Sequence, residues 1–119
     1  MPTETEHRQQ AESNLRFLDH VDEAHFPDWA VTVRFYSAVH LVNQVLVRNG
    51  FSTDNHDDRK RYLQIHFKAL WNVYQKLWTL AQRARYLCRP ITVSHVTDSA
   101  TWLERIQGMV DHLLNPPAP

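Results

Sequence analysis

No proline occurs between Pro27 and Pro90, and Gly50 is the only glycine inside that stretch. A long segment without proline, whose apolar residues recur at steps of three and four, has few options other than helix. Glycine is scarce throughout, with Gly50 and Gly108 the only two. A strand-rich fold would need more tight turns than that allows. The other prolines, Pro2, Pro116, Pro117 and Pro119, lie at the chain ends. With 119 residues, 43% of them hydrophobic, one core can close. The expectation is an all-α protein, an antiparallel bundle of about four main helices. A single domain covers residues 1–119, with 1–5 and 115–119 as frayed tails.

The periodicity predicts a first helix from Thr3 to Ala24, with Ala11, Leu15, Leu18 and Val21 on one stripe. Phe26-Pro27-Asp28 breaks it, and Asp28 is a suitable N-cap for the next. The second helix, Trp29 to Arg48, is the most apolar and should lie centrally. Its broad face holds Val31, Phe35, Ala38, Val39, Val42, Val45 and Leu46. Asn49-Gly50 ends it. A third, long helix is predicted from Asp57 to Leu87, stopped by Arg89-Pro90. Residues 91–96 read as a connector, and Thr97 or Asp98 caps a last helix bearing Leu103, Ile106, Val110 and Leu113.

Cys88 is the only cysteine, so an intrachain disulfide and a multi-cysteine zinc site are excluded. In packing terms it reads as a buried residue rather than a nucleophile. The start of the chain is polar and acidic, and no window approaches the roughly 18 apolar residues of a membrane span. Cytoplasmic residence follows as the expectation. The zero net charge conceals an asymmetry: residues 1–28 hold seven acids against Arg8 and Arg16, whereas no acid occurs from Arg59 to Thr97. The acidic first helix and the basic third could lie against each other.

The second helix has a polar side that includes Arg34, His40 and Arg48, and an arginine near a histidine can bind a phosphate and move its protons. The basic third helix interleaves its cations with Tyr62, Phe67, Trp71, Tyr74, Trp78 and Tyr86, a composition suited to stacking bases and neutralising phosphates. Arg61, Lys68 and Arg85 are its candidate nucleic-acid contacts. Eight histidines raise the question of metal, but no His-x-x-x-His occurs, and the only Glu-x-x-His, Glu4 to His7, falls by the first tail. Neither a metal nor a cofactor is expected.

The segments DWAVTVRFYSAVHLVNQVLVRNG, NHDDRKRYL and LAQRARYLC together resemble bacterial HEPN-type helical domains. In these a Trp-Ala…Phe-Tyr-x-Ala-x-His helix is followed by a loop His-x-x-Arg, and a later Ala-Arg-Tyr closes the long helix. The likeness covers roughly Asp28 to Val110. It implies a helical bundle that often dimerises and, in many members, a metal-independent ribonuclease of toxin–antitoxin or antiphage defence systems. The catalytic members carry Arg, four to six residues, then His, and Arg34 and His40 stand at that spacing, with five residues between them. His40, His56 and Arg59 match the recurring polar positions. The resemblance therefore makes His40 the general acid or base, helped by His56, with Arg34 or Arg59 stabilising the phosphorane charge.

Two other readings stand beside an RNA-associated endoribonuclease. One is a non-catalytic protein–protein interaction or dimerisation module, whose apolar surplus meets a protein partner or a second copy. The other is a small-ligand pocket lined by Trp71, Trp78 and Tyr36.

Overall fold

The computed structural model describes residues 2–118; the tail expectations for Met1 and Pro119 lie outside the described residues. The described residues form five helices and no strand: α1 (Glu4–Leu18), α2 (Pro27–Arg48), α3 (His56–His66), α4 (Lys68–Tyr86) and α5 (Val93–Leu114). The all-helical expectation holds. The arrangement around α2 differs from a square bundle of four. α2 is the hub on which α1, α4 and α5 all pack, and α1 rests chiefly on α2.

Paired contacts give the directions. Glu4 meets Arg48, His7 meets His40 and Ala11 meets Ser37, so α1 and α2 run antiparallel. Arg34 reaches Ser99 and Arg48 reaches the Leu114 carbonyl, so α2 and α5 run in the same sense. Small residues meet where α1 lies on α2, at Ala11 and Ser37. Ala11, Ala30, Ser37 and Ala38 are buried, and Ser37 Oγ donates to the Ala11 carbonyl at 2.8 Å. Val31, Phe35, Val42, Val45 and Leu46 then form the core with Leu63, Leu70, Tyr74, Leu77, Leu103, Ile106 and Val110. Val39 only borders it. By length and composition α2 could cross a membrane, contrary to the reading of the sequence; here its apolar faces are spent on the helices around it.

Several boundaries move, each for a local reason. Glu4 and Thr5, expected in a frayed tail, belong to α1, because Thr3 and Glu6 form a reciprocal capping box. α1 stops at Leu18 rather than Ala24: Asp22 accepts from the Ala24 and His25 amides and so draws that backbone out of the helix. α2 opens at Pro27, whose missing N–H suits a first helical position, and Asp28 sits in the first turn instead of capping it. Gly50, at φ +83°, closes α2 with the left-handed geometry expected of it. α5 begins at Val93, since Thr92 and His95 form a second capping box in which the imidazole takes the place of a carboxylate.

The predicted third helix is two. It breaks at Phe67 (φ −139°, ψ 56°) with neither proline nor glycine present. Tertiary packing sets the break: Phe51, from the loop after α2, stacks on Tyr62 and His66 at 4.9 and 4.5 Å and holds α3 on its own course. Cys88 is exposed, at φ +52° in the turn that ends α4, and is not a packing residue.

Candidate functional site

The cation-rich stretch and the acidic start of the chain do not neutralise each other. Glu4 holds Arg48 through two contacts of 2.6 and 2.9 Å, and Glu23 holds Arg34 at 2.6 Å. Among the described residues, two of the seven acids in the first 28 residues thus pair with α2 and none pairs with the basic stretch. Arg34 is buried between Glu23 and Ser99 Oγ, the latter at 3.3 Å. That places it in a structural corner away from His40, and the sequence pairing of Arg34 with His40 is not a spatial one.

Four helices instead converge on Arg59. It is 9% exposed, and its Nε donates to Asn43 Oδ1 on α2 at 3.2 Å. Among the described residues no carboxylate lies within 4.0 Å of it. Around it stand His7 from α1, His40 from α2, His56 at the start of α3 and Tyr74 from α4, all close enough for its charge to act on them. His7 and His40 share an Nδ1-to-Nδ1 hydrogen bond of 2.9 Å, so one ring donates and the other accepts. His56 stacks flat on Trp78, centroids 4.4 Å apart and planes 5° from parallel.

The cluster is under-satisfied. Nε2 of His7 and both ring nitrogens of His56 are buried without a hydrogen-bond partner among the described residues, and the buried Tyr74 hydroxyl has only a poorly aligned contact with the Arg59 guanidinium. Burial is the main cause that holds His7, His40 and His56 below the usual imidazole pKa. For His7 and His56 the Arg59 charge is next; for His40 it is His7 and then Arg59. Burial likewise pushes the Tyr74 phenol up, against the pull of Arg59. The neutral imidazoles therefore surround a fixed positive charge. An anion entering such a group would supply the counter-charge and favour protonation of the rings. His40 and His56 are half-buried as residues, while both ring nitrogens of His56 and Nε2 of His7 lie out of contact with solvent. Among the described residues no group of three or more His, Cys, Asp or Glu is placed to hold a metal ion.

Of the residues expected at a site, His40, His56 and Arg59 come together and Arg34 does not. The three candidate nucleic-acid contacts are dispersed. Arg61 is exposed, paired with Asp58 at 3.1 Å and lying over Tyr62. Lys68 opens α4 beside an apolar groove. Arg85 lies among Phe35, Tyr36 and Tyr86. Among the described residues Trp71, Trp78 and Tyr36 do not face one cavity: Trp71 is in the core, Trp78 is covered by His56 and Tyr36 lines a cleft with Trp29 and Arg85. His7 is the residue that sequence reasoning passed over. Two signals pointed to it: the Thr3–Glu6 capping pattern, which fixes the helix start, and its place four residues before Ala11 on the buried stripe.

No protein-family model, curated protein or solved structure matches the chain.

Proposed function

We propose that this is a HEPN-like, RNA-associated protein of a prokaryotic defence or toxin–antitoxin system, and that the Arg59 cluster is its phosphodiester site, cleaving RNA without a metal. The observation that carries the reading is a buried guanidinium with no carboxylate beside it, ringed by imidazoles with unused nitrogens. Guanidinium matches the paired oxygens of a phosphodiester, and removing such a charge from water is costly unless an anion offsets it. In the reaction the ribose 2′ oxygen attacks phosphorus while His40 takes the 2′ proton. The bond from phosphorus to the 5′ oxygen breaks, and protonated His56 delivers a proton to that oxygen. A 2′,3′-cyclic phosphate and a 5′ hydroxyl result, and no water is consumed. Arg59 stabilises the charge that builds on the phosphorane oxygens, and His7 fixes the tautomer of His40 through the bond they share.

The test is incubation with total RNA in EDTA across a pH series. Cleavage should persist and follow a bell-shaped profile, and His40→Ala should abolish it under conditions where the variant is still folded, since losing the bond to His7 also costs stability. A wild-type protein that cleaves nothing overturns the reading.

One observation favours the interaction-module reading, as an addition to the first or in its place. An apolar groove of about 710 Å³ runs between the start of α4 and the end of α5, over Phe67, Leu70, Met109 and the exposed Leu113. Ala69 and Gly108 in its wall leave room for a second backbone to approach. Light scattering at high concentration tests self-association: a strict monomer removes the homodimer.

A further inference from the structure

Three exposed aromatic side chains that the core does not use line one cleft with Arg85. Tyr86 is 65% exposed, Trp29 57% and Tyr36 43%. With Asp28 and Arg85 they line a cleft of about 290 Å³ between the start of α2 and the end of α4. Arg85 holds two of these rings in place. Its guanidinium carbon lies 5.4 Å from the Tyr36 ring centre and 4.8 Å from that of Tyr86, and it backs onto Phe35 at 5.1 Å. Each of its nitrogens is engaged: Nη1 donates to Tyr36 Oη, Nη2 to Gln82 Oε1 and Nε to the Ala81 carbonyl. The result is a fixed shelf of π faces open to solvent, braced from behind by a cation.

The polar content of the cleft selects what can lie there. Asp28 forms no ion pair among the described residues. A carboxylate at that position repels a phosphate and accepts from an exocyclic amine, so the cleft favours a base over a backbone. Arg85 also connects the shelf with the Arg59 cluster: it backs onto Phe35, whose ring centre lies 5.9 Å from that of Tyr74.

We infer that the Trp29–Tyr36–Tyr86 cleft is a base-stacking subsite for single-stranded RNA, taking an unpaired base from a nucleotide that flanks the phosphate held at Arg59. This rests on the phosphodiester reading of that cluster. Bases inside a duplex are stacked on one another and have no free face to offer, so the cleft confines the protein to loops, ends and single strands.

The experiment uses fluorescence anisotropy with a short 2′-O-methyl single strand, which cannot be cleaved by 2′-oxygen attack. It is compared with the same backbone carrying abasic sites and with its duplex. The wild-type protein should bind the base-bearing strand about tenfold or more tightly than either control. Tyr86→Ala and Trp29→Ala, both at exposed positions, should lower that affinity to the abasic level and leave abasic binding as it was. Tyr86→Phe should restore it. Equal binding of base-bearing and abasic strands by the wild type overturns the subsite, as does an unchanged preference in the Tyr86→Ala and Trp29→Ala proteins. Arg59→Met separates the two claims. It should weaken every strand alike; if it leaves binding intact while Tyr86→Ala reduces it, the phosphate site falls and the stacking cleft stands. Binding of none of the strands removes both.

Discussion

Arg34 and Arg59 are the same residue type, each 9% exposed, and the fold treats them in opposite ways. Arg34 is neutralised: Glu23 sits 2.6 Å from it, and Ser99 ties it to α5. One side chain thereby joins the α1–α2 turn, α2 and α5. Arg59 has only the Asn43 amide oxygen as a hydrogen-bond acceptor of good geometry, and its other neighbours are imidazoles and a phenol that give it no negative charge. Depth of burial is therefore uninformative about role. What sets the two arginines apart is whether the chain itself provides the counter-charge.

The largest effect comes from asking whether the core could host an unpaired charge anywhere else. Val42 is fully buried on the hub helix, on the face turned to the core. Val42→Asp should lower stability by about 4 kcal/mol or more, measured by urea denaturation, because no cation or donor group awaits the carboxylate. A variant that melts within a degree or two of wild type would show that the tolerance of Arg59 is nothing special. The next effect contrasts the two arginines directly. Arg34→Met should cost about 1–2 kcal/mol, a value held down by the partial exposure of Glu23. Arg59→Met should shift stability by less than about 1 kcal/mol, in either direction, since a desolvated charge leaves along with its one hydrogen bond. Added sulfate should raise the melting temperature of the wild type, and Arg59→Met should abolish that rise. Equal destabilisation by the two substitutions, with the sulfate effect intact in Arg59→Met, would erase the distinction.

The helices and the core face of α2 were legible because they rest on periodicity, which acts within one element. The ends of α1, α2 and α5 were less so. They turn on competing local bonds, such as Asp22 taking amides from the chain ahead, or His95 doing the work usually given to a glutamate. The break at Phe67 is set by Phe51, sixteen residues earlier, and no spacing rule contains it. At the site, His40, His56 and Arg59 were found through resemblance, whereas Arg34 was drawn in by its spacing to His40. That spacing cannot tell which arginine has a carboxylate waiting elsewhere. His7 was lost for a simpler reason: a polar terminus was read as loose although Thr3 and Glu6 cap it.

The smallest effect is a pH dependence, and it reads the Arg59 corner alone. His7, His40 and His56 are each held below the ordinary imidazole value of 6.5 in the folded chain. A depressed imidazole pKa means that the unfolded chain binds protons first. The stability these residues contribute is whole above pH 6.5 and is lost as pH falls through 6.5 and then through each folded value. Depressed carboxylates add nothing in this window: Glu4 and Glu6 titrate below 4.5, and Asp22 below 3.8. Without added anion, the melting temperature should therefore fall between pH 7.5 and 5.5. Sulfate, whose own charge is constant over that range, should stabilise more at pH 5.5 than at 7.5, because a bound anion favours the protonated rings. Arg59→Met should weaken both trends, since it removes a cation that depresses all three rings and the group that anchors the anion. Scanning calorimetry with and without sulfate at the two pH values is sufficient. A sulfate response that is flat across pH in the wild type, or unchanged in Arg59→Met, would mean that the imidazoles and the guanidinium do not act on one ligand. Arg59 would then be no more than a poorly paired counterpart of Arg34.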